Sequence, residues 1–199
     1  MAINPKIVTE IELHRLVPYV SYIRDACATS GGCVDPYDLA AVGYRESGFS
    51  FGSGYEPRGD PFGYGDQKHG NFLYQIDDRS YPARIEEIRR ILEDAGAVAA
   101  LRRLHESAVS ILIEKRAYLC SSQRPQPLAG EVLRRAMLAA YNAGEKRIYP
   151  RAIEALLNPR KDGTPEWALL DSRTTGEDYS TWVVARAEAL RKAAPALFD

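Results

Sequence analysis

The chain has 199 residues, of which 45% are hydrophobic and 27% are charged, and its formal net charge is −1. This composition is typical of a single globular domain with a substantial core and argues against a disordered chain. The near-zero net charge gives no sign of a nucleic-acid-binding protein. No apolar run reaches the roughly 18 residues of a transmembrane helix, and residues 1–18 do not have the pattern of a secretory signal.

The N-terminal part of the chain predicts two helical elements. An amphipathic segment from Ile7 to Ala28 predicts a helix with a kink at Pro18. A second helix is predicted from Pro36, because Asp35 is a favourable N-cap and proline suits the first helical position. Gly48 stands where a C-cap glycine belongs, so this helix is expected to end just before it.

Glu46 lies in the last turn of this second helix and is the first candidate catalytic residue. Leu39, Val42 and Gly43 precede it at offsets that share one helical face, so the pattern places its carboxyl group on the inward side. Burial and the negative end of the helix dipole both raise the pKa of such a carboxyl, which suits a general acid working near neutral pH. The alternative is a solvated or arginine-paired glutamate at a helix end.

A glycine-rich loop is predicted over residues 49–70, with aromatic residues between the glycines. Rings such as Tyr64 offer faces for stacking against sugars. Asp66 lies in the same stretch and is either a site carboxylate or a turn residue, and we expect His69 to contact substrate or solvent. The loop has no Walker A or GxGxxG pattern, and the chain has no CxxC or HExxH pattern. We therefore expect no cofactor and no metal site.

The apolar stretch Phe72–Asp77 is predicted to be a short strand. Period-two alternation would place Gln75 and Asp77 on the same side, facing one cleft. Asp77 could alternatively cap the end of the strand.

Helical spacing of apolar residues after the strand predicts two helices flanking Gly96, another ending near Gly144, and a terminal helix around residues 183–190. The predicted class is α+β, mostly α, with a small β element lining a cleft. Cys27 and Cys33 enclose a flexible loop that could close a disulfide, and reduced thiols are the alternative for these two residues and for Cys120.

Four sequence blocks carry a family resemblance when they are taken in order. They are YRES at 44–47, GYGD at 63–66 followed by LYQID at 73–77, AAYNAG at 139–144, and EDYS at 177–180 with VVARA at 183–187. Together they resemble the goose-type lysozymes and the related soluble lytic transglycosylases. The 11-residue spacing of Asp66 and Asp77 favours the goose-type branch.

The resemblance covers roughly residues 35–192 of a predicted single catalytic domain, 1–199, that begins with a helical segment over about 1–34. Three features depart from the family pattern, and one of them is a stretch from Glu46 to Asp66 that is longer than usual. The strand reads NFLY at 71–74, where the family favours glycine before leucine and methionine after it, and an extra segment lies between Gly144 and Glu177.

The resemblance implies a lysozyme-like fold and a muramidase, which cleaves the β-1,4 bond between N-acetylmuramic acid and N-acetylglucosamine. Glu46 would be the general acid, and Asp77 with Asp66 would hold the attacking water, which gives inversion. Tyr141 and Asn142 would contact the N-acetyl sugar and steady Glu46; alternatively they are a buried tyrosine and a helix C-cap.

The remaining predicted substrate contacts are side chains placed along the cleft. Tyr179 would supply a hydroxyl near Glu46, Gln75 would hydrogen-bond substrate, and Tyr64, Phe72 and His69 complete the set.

Two alternatives stay open at this stage. One is a lytic transglycosylase, in which the sugar's own 6-hydroxyl attacks and a 1,6-anhydro product forms; the other is a non-catalytic cell-wall-binding module. The expected partners are peptidoglycan strands and an inhibitor or immunity protein, with no nucleic acid and no membrane span. We expect action on the cell wall, periplasmic or extracellular, reached by lysis, a dedicated secretion system or particle delivery.

Overall fold

The structure, a computed structural model, describes residues 4–199, apart from the side chain of Asp66. It is 63% helical with one three-stranded antiparallel sheet, which confirms the predicted α+β, mostly α, class. The chain forms two compact units: Met1–Ser110 with Arg186–Asp199, and Ile111–Ala185. The single catalytic domain stays a prediction.

The first unit begins with α1 (Glu10–Leu16), a 3-10 turn over Val17–Tyr19 and α2 (Val20–Ala28). The predicted kink at Pro18 is confirmed, because this proline lies in the 3-10 turn between the two helices. The first helix starts at a capping box, in which Thr9 and Glu12 satisfy each other's backbone N–H groups.

Helix α3 (Pro36–Ser47) has the predicted ends. The Asp35 carboxylate accepts a hydrogen bond from the backbone N–H of Tyr37 at 2.8 Å, and Gly48 takes the left-handed conformation at φ 57°. Every residue from 37 to 44 is buried, so the core encloses this helix on all sides rather than along one stripe.

The sheet is smaller than the sequence predicted. Its strands are β1 (Tyr64–Gly65), β2 (Gly70–Asn71) and β3 (Ile76–Asp77), in that order. The predicted strand over Phe72–Asp77 is wrong, because residues 72–75 form the turn that joins β2 to β3. Phe72 and Gln75 have positive φ values of 67° and 47°, outside the extended region that a regular strand occupies. The apolar run therefore marks a buried turn.

A cluster of aromatic rings packs around His105 in the first unit. The imidazole is 0% exposed, and its Nδ1 lies 2.7 Å from the carbonyl oxygen of Leu101. Tyr19, Tyr22 and Tyr74 lie around it, with ring centroids 6.0, 5.6 and 5.3 Å away. Burial lowers the pKa of His105 to about 4, so the ring is neutral at physiological pH.

The side chain of Arg186 is also completely buried in the first unit. Its guanidinium lies 3.0 Å from the Glu12 carboxylate, donates to the carbonyl of Ile7 at 2.5 Å, and stacks over the Tyr44 ring at 4.3 Å. Burial opposes ionisation of Glu12, but hydrogen bonds from Thr9 and the charge of Arg186 outweigh it, so the pKa of Glu12 lies below its usual value. A charge-paired cluster thus joins the N-terminal segment, α1, α3 and α8 (Tyr179–Ala193).

The second unit is helical in the part of the chain that the structure describes. It contains the end of α4 (Pro82–Cys120), α5 (Gly130–Ala143), α6 (Glu145–Leu157), α7 (Trp167–Asp171) and the start of α8. The predicted interruption of α4 at Gly96 is confirmed and lies in the first unit. The extra segment after Gly144 forms α6 and α7. Buried Asp171 accepts hydrogen bonds from the N–H and hydroxyl groups of Ser180 and Thr181 and so caps α8.

No helix among residues 4–199 is both long enough and apolar enough to cross a bilayer.

The buried Arg186 predicts a large effect for a conservative change of its partner. Glu12→Gln keeps the shape but removes the countercharge, so we expect the free energy of unfolding to fall by about 3 kcal/mol. Glu10→Gln, an exposed position on the same helix, is the matched control and should change it by less than about 0.5 kcal/mol. Urea denaturation measures both; equal effects of the two variants would contradict the buried pair.

His105 predicts a specific loss of stability in acid. Because its folded pKa is about 4 and its ordinary value is 6.5, the unfolded chain binds the proton first on acidification. The neutral ring of His105 therefore contributes to the free energy of unfolding in full above pH 6.5. This contribution, on the order of 3 kcal/mol, is lost as the pH falls towards 4. Denaturation at several pH values should show this slope in the wild type and in exposed His14→Gln, and lack it in His105→Gln. An unchanged slope in His105→Gln would contradict the assignment.

Candidate functional site

Glu46 lies half-buried in the last turn of α3, where the backbone changes direction. Gly48, Phe49 and Ser50 follow it with φ values of 57°, 51° and 69°, all in the left-handed region. The loop then folds back on the helix end, and the N–H of Gly52 donates to the carbonyl of Ser47 at 2.6 Å. The Glu46 carboxyl group is therefore carried on a helix end that a close loop holds in place.

The turn between β2 and β3 packs against the same helix. A Cβ atom on Gly43 would lie 2.9 Å from the Phe49 ring and 3.3 Å from the Tyr74 ring, so only glycine leaves room for both. Tyr74 belongs to this turn, and Gly43 precedes Glu46 by about one helical turn. The contact packs the turn of the hairpin that carries Asp77 against α3, about one helical turn before Glu46. That the two carboxylates face one cleft stays a prediction.

Asp77 is ionised and already accepts several hydrogen bonds. Its Oδ1 accepts from the backbone N–H groups of Arg79 at 2.9 Å and Ser80 at 3.1 Å, and the Arg79 side chain pairs with both oxygens. The Arg79 hydrogen bonds are the largest cause that holds the pKa of Asp77 below its usual value. The carboxylate therefore caps the turn that leads from β3 into α4, the alternative that the sequence left open.

The side chain of Gln75 packs within the hairpin and stabilises its turn. Its Nε2 donates to the carbonyl of Phe72 at 2.9 Å. A Cβ atom on Gly65 or on Gly70 would lie only 2.3 or 2.4 Å from its Oε1. The amide thus fills the space that these glycines leave, and its predicted hydrogen bond to substrate stays a prediction.

The other predicted contacts of the first unit differ in their exposure. Tyr64 is half-buried on β1, with the Lys68 ammonium 5.3 Å from its ring centroid. His69 is exposed and pairs with Asp78 at 3.0 Å. Phe72 is 2% exposed and packs edge-on against Phe62, so in this structure it supports the loop and offers no open face for stacking. Asp66 begins a 3-10 turn, and its side chain lies outside the described part of the chain.

The three remaining predicted residues belong to the second unit. Tyr141 and Asn142 are half-buried near the end of α5, and Tyr179 is 1% exposed at the start of α8. The amide oxygen of Asn142 accepts from the backbone N–H of Thr175 at 2.8 Å, so Asn142 fastens the turn before α8 instead of capping α5. The contacts of these residues with Glu46 stay predictions.

Sequence reasoning missed three residues that shape the hairpin. Arg79 has a local signal, because an aspartate can accept hydrogen bonds from the backbone N–H groups two and three residues later, which is typical of an Asx turn. Asn71 and Arg89 have none: Arg89 donates from α4 to the Asn71 side chain at 2.7 Å, a contact between residues distant in sequence.

No group of three or more His, Cys, Asp or Glu side chains in the described part of the chain could hold a metal ion. Cys27, Cys33 and Cys120 are free thiols, and burial raises the pKa of Cys27 to about 12. A groove of about 800 Å³ runs along α4 between Pro82 and Glu93 and includes Asp78. Neither Glu46 nor Asp77 lines it, so the groove does not locate the substrate.

Comparison of the chain with models of known protein families gave no match, and comparison with curated proteins gave none either. The goose-type resemblance therefore stays a prediction from the four sequence blocks.

Proposed function

We propose that the protein is a peptidoglycan hydrolase of the muramidase type, with a lysozyme-like fold and Glu46 as its general acid. It would act on the glycan strands of the cell wall, in the periplasm or outside the cell. An inhibitor or immunity protein would be its natural protein partner.

One observation supports the proposal: Tyr74 packs at Gly43, so the hairpin that carries Asp77 lies against the helix that bears Glu46. Glycoside hydrolysis needs two carboxyl groups with different tasks, one to protonate the leaving oxygen and one to hold water. Glu46 is half-buried in the last turn of α3, the position at which the sequence predicts the proton donor. Asp77 is held ionised by Arg79, as a water-binding carboxylate must be.

In this mechanism Glu46 protonates the glycosidic oxygen as the bond to the anomeric carbon breaks. Asp77, together with Asp66, hydrogen-bonds a water molecule on the opposite face of the sugar, and its attack inverts the anomeric configuration. The carboxylate of Asp77 or Asp66 accepts the proton of that water and releases it to solvent, and Glu46 regains its proton from solvent. Tyr141, Asn142 and Tyr179 would contact the N-acetyl sugar, and Tyr64 and His69 would line the loop side.

A lytic transglycosylase is the second candidate, and the hydrogen bonds of Asp77 favour it. The oxygens of Asp77 already accept from Arg79 and Ser80, which limits the room for a water molecule. If water is not held, the 6-hydroxyl of the muramic acid attacks in its place, and Glu46 alone is needed.

The role of Glu46 predicts a sharp loss of activity. Glu46→Gln keeps the size of the side chain but removes the transferable proton, so the initial rate on purified sacculi should fall by at least about 10²-fold. The exposed Glu10→Gln should keep the wild-type rate. Turbidity loss measures the rates, and circular dichroism checks the fold. A near wild-type rate for Glu46→Gln would refute the assignment, and binding to sacculi without turnover by the wild type would indicate a wall-binding module.

The product distinguishes the two enzymatic candidates. Hydrolysis gives muropeptides with free reducing ends, initially of inverted configuration, whereas transglycosylation gives anhydro-muropeptides lighter by a water molecule. We expect reducing ends from the wild type by mass spectrometry, and a slower reaction with a larger anhydro fraction from Asp77→Asn, because this change weakens the hold on water. Asp94→Asn, on the exposed face of α4, is the matched control. Mainly anhydro product from the wild type would select the transglycosylase.

A further inference from the structure

The side chain of Asn71 links three elements around the hairpin. It is 1% exposed, and its Nδ2 donates to the carbonyls of His69 at 2.9 Å and Ile76 at 3.4 Å. Its Oδ1 accepts from the guanidinium of Arg89 at 2.7 Å. One buried amide therefore joins β2, β3 and the third turn of α4, and the hydrogen bond from α4 is charge-assisted and correspondingly strong.

This link lies directly beside Asp77. Asn71 pairs with Ile76 across the sheet, and Gly70 pairs with Asp77. The carbonyl of His69, which Asn71 holds, also accepts from the N–H of Asp78 at 3.0 Å. Strands of two residues are too short to fix a hairpin by their ladder alone, so side-chain links have to set its position.

Arg89 forms a second connection between α4 and the hairpin that carries Asp77. The chain runs from Asp77 through its capped turn directly into α4, and Arg89 returns from that helix to Asn71, next to Asp77. Because the covalent connection and the hydrogen bond join the same two elements at different points, they restrict rotation of the hairpin relative to α4. Without Arg89, the buried Asn71 oxygen would lose its partner, and the hairpin would be free to shift.

We propose that Arg89 is a positioning residue that acts through Asn71 to hold the Asp77 carboxylate where it can bind the attacking water. The inference rests on the proposed glycosidase function. A shift of about 1 Å at a reacting group is enough to lower a rate by up to about 10²-fold. In this role Arg89 acts on the chemical step and on the choice of nucleophile, so its removal should change kcat and the product ratio more than KM.

Arg89→Ala and its neighbour Arg90→Ala form a matched pair, with the same charge change on the same helix. Arg89→Ala should lower kcat on soluble glycan oligomers about tenfold, with KM changed less than about twofold, and should raise the anhydro fraction of the product. Arg89→Lys should recover part of both, because an ammonium can still donate to Asn71. Arg90→Ala should match the wild type. Equal kcat and product ratio for Arg89→Ala and Arg90→Ala would overturn the proposal.

Hydrogen exchange separates this inference from the proposed function. The amide of Asp78 should exchange at least about tenfold faster in Arg89→Ala than in Arg90→Ala, in the protein without substrate. If the wild type cleaves no glycan but exchange differs in this way, the proposed function fails while the anchoring of the hairpin stands. If the wild type is active and neither exchange nor product ratio differs, Arg89 has no positioning role.

Discussion

The buried guanidinium of Arg186 is the constraint on which the first unit depends. A charge that is 0% exposed is tolerated only when its surroundings compensate it, and here the compensation comes from distant parts of the chain. The Glu12 carboxylate, the Ile7 carbonyl and the Tyr44 ring all converge on it. Moving Glu12 away would leave an unpaired charge in the core, and moving the Ile7 carbonyl or the Tyr44 ring would remove further compensation, so the N-terminal segment, α3 and α8 are fixed together.

This cluster also bears on the candidate site, because Tyr44 precedes Glu46 by two residues on α3. Burial raises the pKa of Tyr44, so its hydroxyl remains a donor and bonds to the backbone carbonyl of Glu12. The last turn of α3 is thus held on one side by a buried ion pair and at its end by the loop that returns to Ser47. A carboxyl group on such a helix end has little freedom to leave its position, which is a requirement for a proton donor.

The sequence predicted the helices well, because their signals are local. Asp35 and Gly48 mark the ends of α3, and Gly96, with a φ of 80°, interrupts α4 where the pattern indicated. The strand over Phe72–Asp77 was predicted wrongly, since buried turns and buried strands share an apolar composition and differ in φ, which composition does not encode. Pairs such as Arg89 with Asn71 could not be predicted, because only the folded chain brings them together.

The hydrogen bonds of Asp77 compete with its proposed role in binding the attacking water. The strengths of these contacts decide whether the carboxylate can do both. The backbone N–H groups of Arg79 and Ser80 are fixed by the turn, and they orient the carboxylate without neutralising it. The Arg79 side chain is 61% exposed, and an ion pair of that kind contributes at most about 1 kcal/mol. A substrate that displaces this side chain therefore frees an oxygen of Asp77 at a small cost.

The lowered pKa of Asp77 makes it a weak base, but an oxocarbenium-like transition state needs a water molecule held in line more than it needs a strong base. The capped aspartate is consequently compatible with hydrolysis as long as the hairpin keeps it in place. The position of the hairpin relative to α4 therefore matters more to the choice between hydrolysis and transglycosylation than the basicity of the carboxylate does.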